Sequence, residues 1–264
     1  MLKNVLQKGT VKTMRIIKRF WGTAVIILAF VLIFELLTDV TGTLEPVLFP
    51  GLSKILPELV NSFPQLAEGF LSSMKLLIPS YFAALILGIG GGLMVGHSAP
   101  LRRVLMPLFR GASPIPPTML IPYAIAVLPT FWLSSWFIIF VGAFWPVIMG
   151  TIHGVGLIEE RYLDNAKVLK VTGFRLFTKV ILPGALPTIF NGAGMALVFS
   201  FILLTVAEMF GATSGMGHFI QYYADFSDYP KVLAGMIFLS VVIVILMEIF
   251  DIVQNRALHW THKR

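Results

Sequence analysis

Residues 112–150 read ASPIPPTMLIPYAIAVLPTFWLSSWFIIFVGAFWPVIMG, and the division of this stretch decides the fold. As one α-helix it would extend about 58 Å at ~1.5 Å per residue, against about 30 Å of bilayer hydrocarbon. A tight turn at Pro129-Thr130 resolves the conflict and yields two spans, Ala112–Thr130 and Phe131–Gly150. Working outward, four more apolar stretches of spanning length occur: Phe20–Thr38, Leu76–Gly96, Leu186–Ala207 and Val232–Phe250. The sequence therefore predicts an all-α integral membrane protein with six transmembrane helices.

Composition leads to the same class. Of 264 residues, 57% are hydrophobic and 12% charged, where soluble domains carry about 25% charged residues. Mean hydropathy is +0.87, and a water-soluble enzyme is excluded. The absence of cysteine removes disulfides, thiolate metal sites and cysteine nucleophiles. The formal charge of +7 is a topology signal, and no nucleic-acid partner is inferred from it. Seventeen of the 20 Lys and Arg residues fall in the N-terminal tail, the loops after spans two and four, and the C-terminal end. By the positive-inside rule both termini are cytoplasmic. Phe20–Thr38 has basic N-terminal flanks and no small-x-small cleavage site, so it reads as a retained span.

The chain then divides into a basic cytoplasmic tail (1–19), a first transmembrane helix (20–38), an extracytoplasmic loop (39–70), a core (71–255) and a second cytoplasmic tail (256–264). Within the outer loop, Ser53–Glu68 carries apolar residues at helical spacing but also Pro57 and Pro64. It reads either as an interfacial helix lying in contact with the lipid bilayer or as an irregular loop.

Inside the spans, Gly88, Gly92 and Gly96 recur every four residues. Stacked glycines open a groove that another helix backbone can enter, whether for a moving pair or for ordinary packing. Six prolines lie between Pro107 and Pro129. Each interior proline frees a carbonyl, and broken backbone at membrane depth needs protein or a water-filled cavity to satisfy it. Ser113, Pro114, Pro116, Pro117 and Thr118 are therefore candidates for a translocation path. Glu208, an acid at membrane depth before Gly211-Ala-Thr-Ser-Gly215 and Gly217, is another. It serves either the path or a purely local bond to the N–H groups of that glycine turn. No HExxH, Gly-x-Ser-x-Gly or Walker A pattern occurs, so no catalytic residue, metal site or nucleotide loop is assigned.

The polar stretch Glu159–Leu186 holds two short amphipathic helices. Tyr162, Leu163, Ala166 and Leu169 line one, and Phe174, Phe177 and Ile181 the other. Gly173 separates them and Pro183 closes the second. A two-faced hairpin with apolar residues is built to dock.

Asp164-Asn-Ala166, Val180-Ile-Leu-Pro183 and Ala185-Leu-Pro187 resemble the EAA loop of binding-protein-dependent ABC importer permeases. Pro114-Ile-Pro-Pro117 with Leu120-Ile-Pro122, and Ala207-Glu-Met209 with Gly211 to Gly217, resemble the nitrate/sulfonate/taurine-type branch. The resemblance covers roughly Leu71–Trp260 and implies the type I importer permease fold in a bacterial inner membrane. It further implies a homodimer, two cytoplasmic ATPase subunits that bind ATP and Mg, and an extracytoplasmic solute-binding protein. In that family the loop at 159–185 couples to the ATPase, which marks Tyr162, Asp164, Ala166, Leu169, Lys170, Gly173 and Pro183. Two departures stand out. The family's first Glu-Ala is Asp164-Asn165 here, and its glycine thirteen residues before the proline is Lys170. A lysine resists the left-handed conformation, so the turn is expected to move to Gly173. A proton-coupled secondary transporter using Glu208 is the alternative to an ABC permease, although paired broken helices, expected for it, are missing.

Overall fold

The computed structural model describes residues 21–22 and 25–260. The basic tail at 1–19, part of Phe20–Thr38 and the last four residues lie outside the described residues. Residues 25–35 form helix α1, which ends in a π-turn, Leu36–Val40. Helix α2 spans Leu52–Asn61 and α3 Phe63–His97. Next come α4 (Ala99–Ala112), a 3₁₀ turn (Pro117–Leu120) and α5 (Ile121–Val127). Helix α6 covers Phe131–Gly156, and α7 Glu160–Val168. The short α8 (Phe174–Leu176) leads through a π-turn (Phe177–Ile181) into α9 (Leu182–Gly211). Helices α10 (Met216–Asp225) and α11 (Tyr229–Ala257) complete the chain. Among the described residues four helical segments are long and apolar enough to cross a membrane: Phe63–His97, Phe131–Gly156, Phe174–Gly211 and Tyr229–Ala257.

Three expectations change. First, Ala112–Thr130 is not one spanning helix. Ser113 closes α4 through its N–H to the Phe109 carbonyl (2.8 Å), and the helix restarts only at Pro117. Pro116 is extended (ψ 122°), because a residue before proline is pushed out of the helical region. The apolar helix that remains, Pro117–Val127, is about 19 Å long and falls short of the hydrocarbon thickness. Second, the outer helix covers only Leu52–Asn61. The chain breaks at Ser62, and Phe63 already begins α3 with a proline in its first turn, a position where the missing N–H costs nothing. Third, Pro183 does not end a helix. It sits in the first turn of α9, and the π-turn before it carries the helix through to the long segment Phe174–Gly211.

The core is a sandwich with α6 between α3 and α9. Small residues on both sides of α6 make this possible. Gly88, Gly92 and Gly96 of α3 lie against Val147, Thr151 and Val155. A Cβ on Gly92 would sit 2.5 Å from the Thr151 Cβ. On the other side a Cβ on Gly192 of α9 would come within 2.6 Å of the Pro146 carbonyl oxygen. This second seam sets Gly150 and Gly154, four residues apart on α6, against Gly192 and Ala185 of α9. Several buried hydroxyls in the core donate to backbone carbonyls, while Ser135 Oγ of α6 is buried without a hydrogen-bond partner among the described residues. Ser80, Thr151 and Ser200 each donate to the carbonyl one turn back, at 2.7 Å, and Tyr81 Oη donates to the Ala193 carbonyl at 2.9 Å, tying α3 to α9.

The peripheral elements are fixed by capping acids and by packing on the core. Glu35 at the end of α1 accepts the Leu52 N–H at the start of α2 (3.0 Å), and Asp39 accepts from Ser53 (2.8 Å). Carboxylates at a helix N-terminus meet unpaired N–H groups and the positive end of the helix dipole. Thr130 accepts the Leu133 N–H (3.2 Å) and opens α6 directly after the α5 break.

Candidate functional site

Two cavities and one buried carboxylate account for part of the candidate set. The larger cavity, about 1280 Å³, lies between α4, α6 and α9. Ser113 and Pro117 are on its wall, so the proline break opens α4 towards it. Pro114, Pro116 and Thr118 are exposed and are not part of that wall. Sequence reasoning missed Arg102, Arg103 and Arg110 of α4 and His153 of α6, which also line it. Their signal was present. Ala99, Arg103, Met106, Arg110 and Ser113 recur at three- and four-residue steps, which places them on one helix face. The positive-inside reading had absorbed those arginines as topology markers only.

Glu208 is elsewhere. It is 1% exposed. Its Oε1 accepts from Ser73 Oγ of α3 at 2.6 Å, and its Oε2 from the Gly217 N–H at 2.8 Å. Ser73 Oγ in turn accepts the Met216 N–H at 3.0 Å. The carboxylate thus staples the first turn of α10 to α3 and α9. Gly215 makes the approach possible: its φ is +131° and a Cβ there would collide with the Glu208 carboxylate. Of the two uses the sequence allowed for Glu208, the local bond is the one present, and Glu208 does not line the cavity.

The hairpin at 159–185 leaves the bundle beside the large cavity, with Leu157 shared by both. In α7, Lys167 pairs with Asp164 (2.8 Å) and Arg161 with Glu159 (2.6 Å), all on the exposed side. The bond to Asp164 raises the Lys167 pKa above the ordinary lysine value. The C-terminus of α7 is a Schellman turn: Val171 N–H donates to the Ala166 carbonyl (2.8 Å) and Lys170 N–H to the Lys167 carbonyl (3.0 Å). Lys170 occupies the left-handed position of that turn, with φ +53°. The expected shift of the turn to Gly173 does not occur. Gly173 is left-handed as well (φ +59°, ψ −139°), a region only glycine enters without strain, and the hairpin uses both positions. The hydrogen bonds of the Schellman turn satisfy carbonyls that would otherwise be orphaned, and this offsets the lysine's strain.

The apolar residues of the hairpin separate into two sets. Ala166 is 4% exposed and turned into its own chain, in a cleft of about 530 Å³ shared with Val180, Pro183 and Trp260. Phe177 packs edge-on to His97 (5.1 Å) at the end of α3. These residues hold the hairpin together, and Ala166 is not on an outward docking face as the helical spacing had implied. Val168, Leu169 and Phe174 face outward at 80%, 74% and 82% exposure, with Tyr162 at 48%.

Comparison with known proteins follows the same lines. The chain is 30% identical over 186 residues to the nitrate import permease protein NrtB of Leptolyngbya laminosa, covering 70% of this chain and 67% of that one. It is 27% identical to the taurine transport system permease protein TauC of Escherichia coli K12, over 82% of each chain. It is 32% identical to the putative aliphatic sulfonates transport permease protein SsuC of Bacillus subtilis, over 70% of this chain and 69% of that one. Among solved structures, an inward-facing conformation of the MetNI methionine ABC transporter matches with TM-score 0.64 and 17% identity. It covers 75% of this chain and 98% of that one, and shows that the fold is that of an ABC importer permease. The family described as "Binding-protein-dependent transport system inner membrane component" matches residues 84–259. With the glycine-sandwiched bundle, the open cleft and the projecting hairpin, this places the chain in that family of multi-pass inner-membrane permeases.

Proposed function

We propose that the chain is the translocation subunit of an ABC importer that works as a homodimer with two ATPase subunits and an extracytoplasmic solute-binding protein. The carrying observation is the hairpin. Val168, Leu169 and Phe174 stand exposed beyond the end of the bundle, on a turn held rigid by the Schellman bonds and Gly173. Exposed apolar groups on a rigid projection are suited to a partner's cleft. Motion of that partner would pass through the continuous segment Phe174–Gly211 into the wall of the large cavity. ATP and Mg belong to the partner, because the chain contains no phosphate-cradling loop.

The positive-inside distribution of Lys and Arg supports a cytoplasmic reading for both termini. The substrate is a small solute of the kind named for the relatives, nitrate, taurine or an aliphatic sulfonate, each of which carries an oxyanion group. Family membership sets aside the proton-coupled secondary transporter, and the hydrogen-bonded Glu208 offers it no carrier.

Co-expression with a candidate Walker-A ATPase subunit and reconstitution into liposomes tests the reading. Uptake that requires ATP and the binding protein, and that persists when the proton gradient is collapsed, is the expected result. Uptake abolished by an uncoupler with ample internal ATP would reject it.

A further inference from the structure

We propose that the cleft between α4, α6 and α9 is a binding site for a small oxyanion at the hairpin end of the bundle. This inference rests on the importer reading for its role in transport, but the site itself stands on the residues of the cleft. Arg102, Arg103 and Arg110 reach its wall from α4 and His153 from α6, and no Asp or Glu lines it. Among the described residues none of the three arginines has an ion pair. The Arg102 guanidinium extends across to α6, where its Nη1 would lie 3.9 Å from a Cβ on Gly156. Glu159, three residues beyond Gly156, is already taken by Arg161 at 2.6 Å. A topology signal requires basic residues only on one side of the membrane. It does not require them to converge on one cleft from which every carboxylate is missing.

The neutral groups in the wall suit the same ligand. Ser113, Thr188 and Asn191 line the cleft. Asn191 Oδ1 accepts from Gln254 (3.5 Å), which leaves its NH₂ as a donor. Arginine presents a planar fork of donors that matches carboxylate, nitrate and sulfonate oxygens. A charged cleft with low-dielectric walls concentrates counter-ions. At about 1280 Å³ the space exceeds any of these anions, so the site receives and releases its ligand without enclosing it. An oxyanion leaving the bundle would meet this cleft before the cytoplasm. A phospholipid headgroup offers the same chemistry, and the experiment separates the two sources.

Trp145 lines the cleft and serves as the reporter. The full chain with its ATPase is placed in phosphatidylcholine nanodiscs, and the Trp145 signal is taken as the difference from Trp145→Phe. Quenching by iodide is compared with quenching by neutral acrylamide. The expected result is an iodide-to-acrylamide ratio that falls about fivefold in the triple variant Arg102→Gln, Arg103→Gln, Arg110→Gln, and stays within about twofold in the triple Lys variant. On the unmodified protein, methanesulfonate should relieve iodide quenching more strongly than chloride at equal ionic strength. This arm decides the matter even if the Gln variant does not fold. An unchanged ratio, or equal relief by the two salts, would overturn the site. Loss of the iodide effect when phosphatidylglycerol is added, with methanesulfonate inert, would assign the cleft to lipid and also overturn it. ATP-driven uptake in liposomes is scored separately. Failure there with an arginine-dependent ratio rejects the importer reading alone, and uptake with an arginine-independent ratio rejects the site alone.

Discussion

Lys170 carries a cost that a single substitution can remove. Its φ of +53° sits where a side chain is penalised by about 1–2 kcal/mol, inside a turn whose hydrogen bonds glycine would keep. Lys170→Gly is therefore expected to stabilise the hairpin by about 1 kcal/mol, less the added freedom of glycine in the unfolded chain. Slower proteolysis of the loop in detergent, with transport unchanged, would be the sign, and faster cleavage would contradict the strain argument. Glu208 behaves in the opposite sense. Its two oxygens accept from Ser73 and Gly217, and an amide cannot accept at both. Glu208→Gln should lower thermal stability by about 1 kcal/mol, and Glu208→Leu by more, because it strands both buried donors rather than one. In both variants residual uptake should remain driven by ATP. Thermal unfolding with and without an uncoupler-sensitivity assay checks both halves.

Among elements, the glycine seams decide whether α3, α6 and α9 can stack. Gly92→Leu drives four carbons into Thr151, whose Cβ would lie only 2.5 Å from a single Cβ added at Gly92. Overpacking commonly costs about 1–3 kcal/mol, and here both contacting groups are on rigid helices. Loss of folded protein on size-exclusion chromatography is expected, and wild-type yield and activity would show that the helices can separate freely. The hairpin offers a matched pair. Leu169→Asp with Phe174→Asp alters only exposed residues, so the chain should fold normally while ATPase co-purification falls at least tenfold, about 1.4 kcal/mol. Ala166→Glu instead buries a charge within the chain, at a cost of several kcal/mol, and should damage the hairpin itself. Circular dichroism and limited proteolysis distinguish the two. If the exposed pair leaves co-purification intact, the docking role of that face fails.

For the molecule as a whole, orientation is the prediction that the hairpin, the cleft and the arginines share. Reporter fusions after Arg103 and Lys170 are expected on the cytoplasmic side, and fusions after Asn61 and Asp225 outside. Arg103 and Lys170 belong to the end of the bundle where α4, the cleft and the hairpin meet. Asn61 and Asp225 close α2 and α10, the latter next to the Glu208 staple. Fusions that report Arg103 and Asn61 on the same side would break both the topology and the proposed route of an anion through the cleft.

Much of this protein follows from local sequence rules. Membrane residence comes from 57% hydrophobic residues, and the helical faces come from periodicity, which depends only on residues three and four apart. The proline break at Pro114–Pro117 and the special conformation of Gly173 are local as well, since each is a restriction on one or two backbone dihedrals. The tertiary structure decided everything that depends on distant residues meeting. Ser73 and Glu208 are 135 positions apart, and no spacing rule links them. Ala166 looked outward on its helix because periodicity identifies an apolar face without saying which neighbour covers it. The three arginines read as a topology signal until α6 and α9 supplied the opposite walls of a cleft. Charge and hydropathy are sums over sequence, whereas a site is a convergence of directions, and that is fixed only when the glycine seams set how the helices cross.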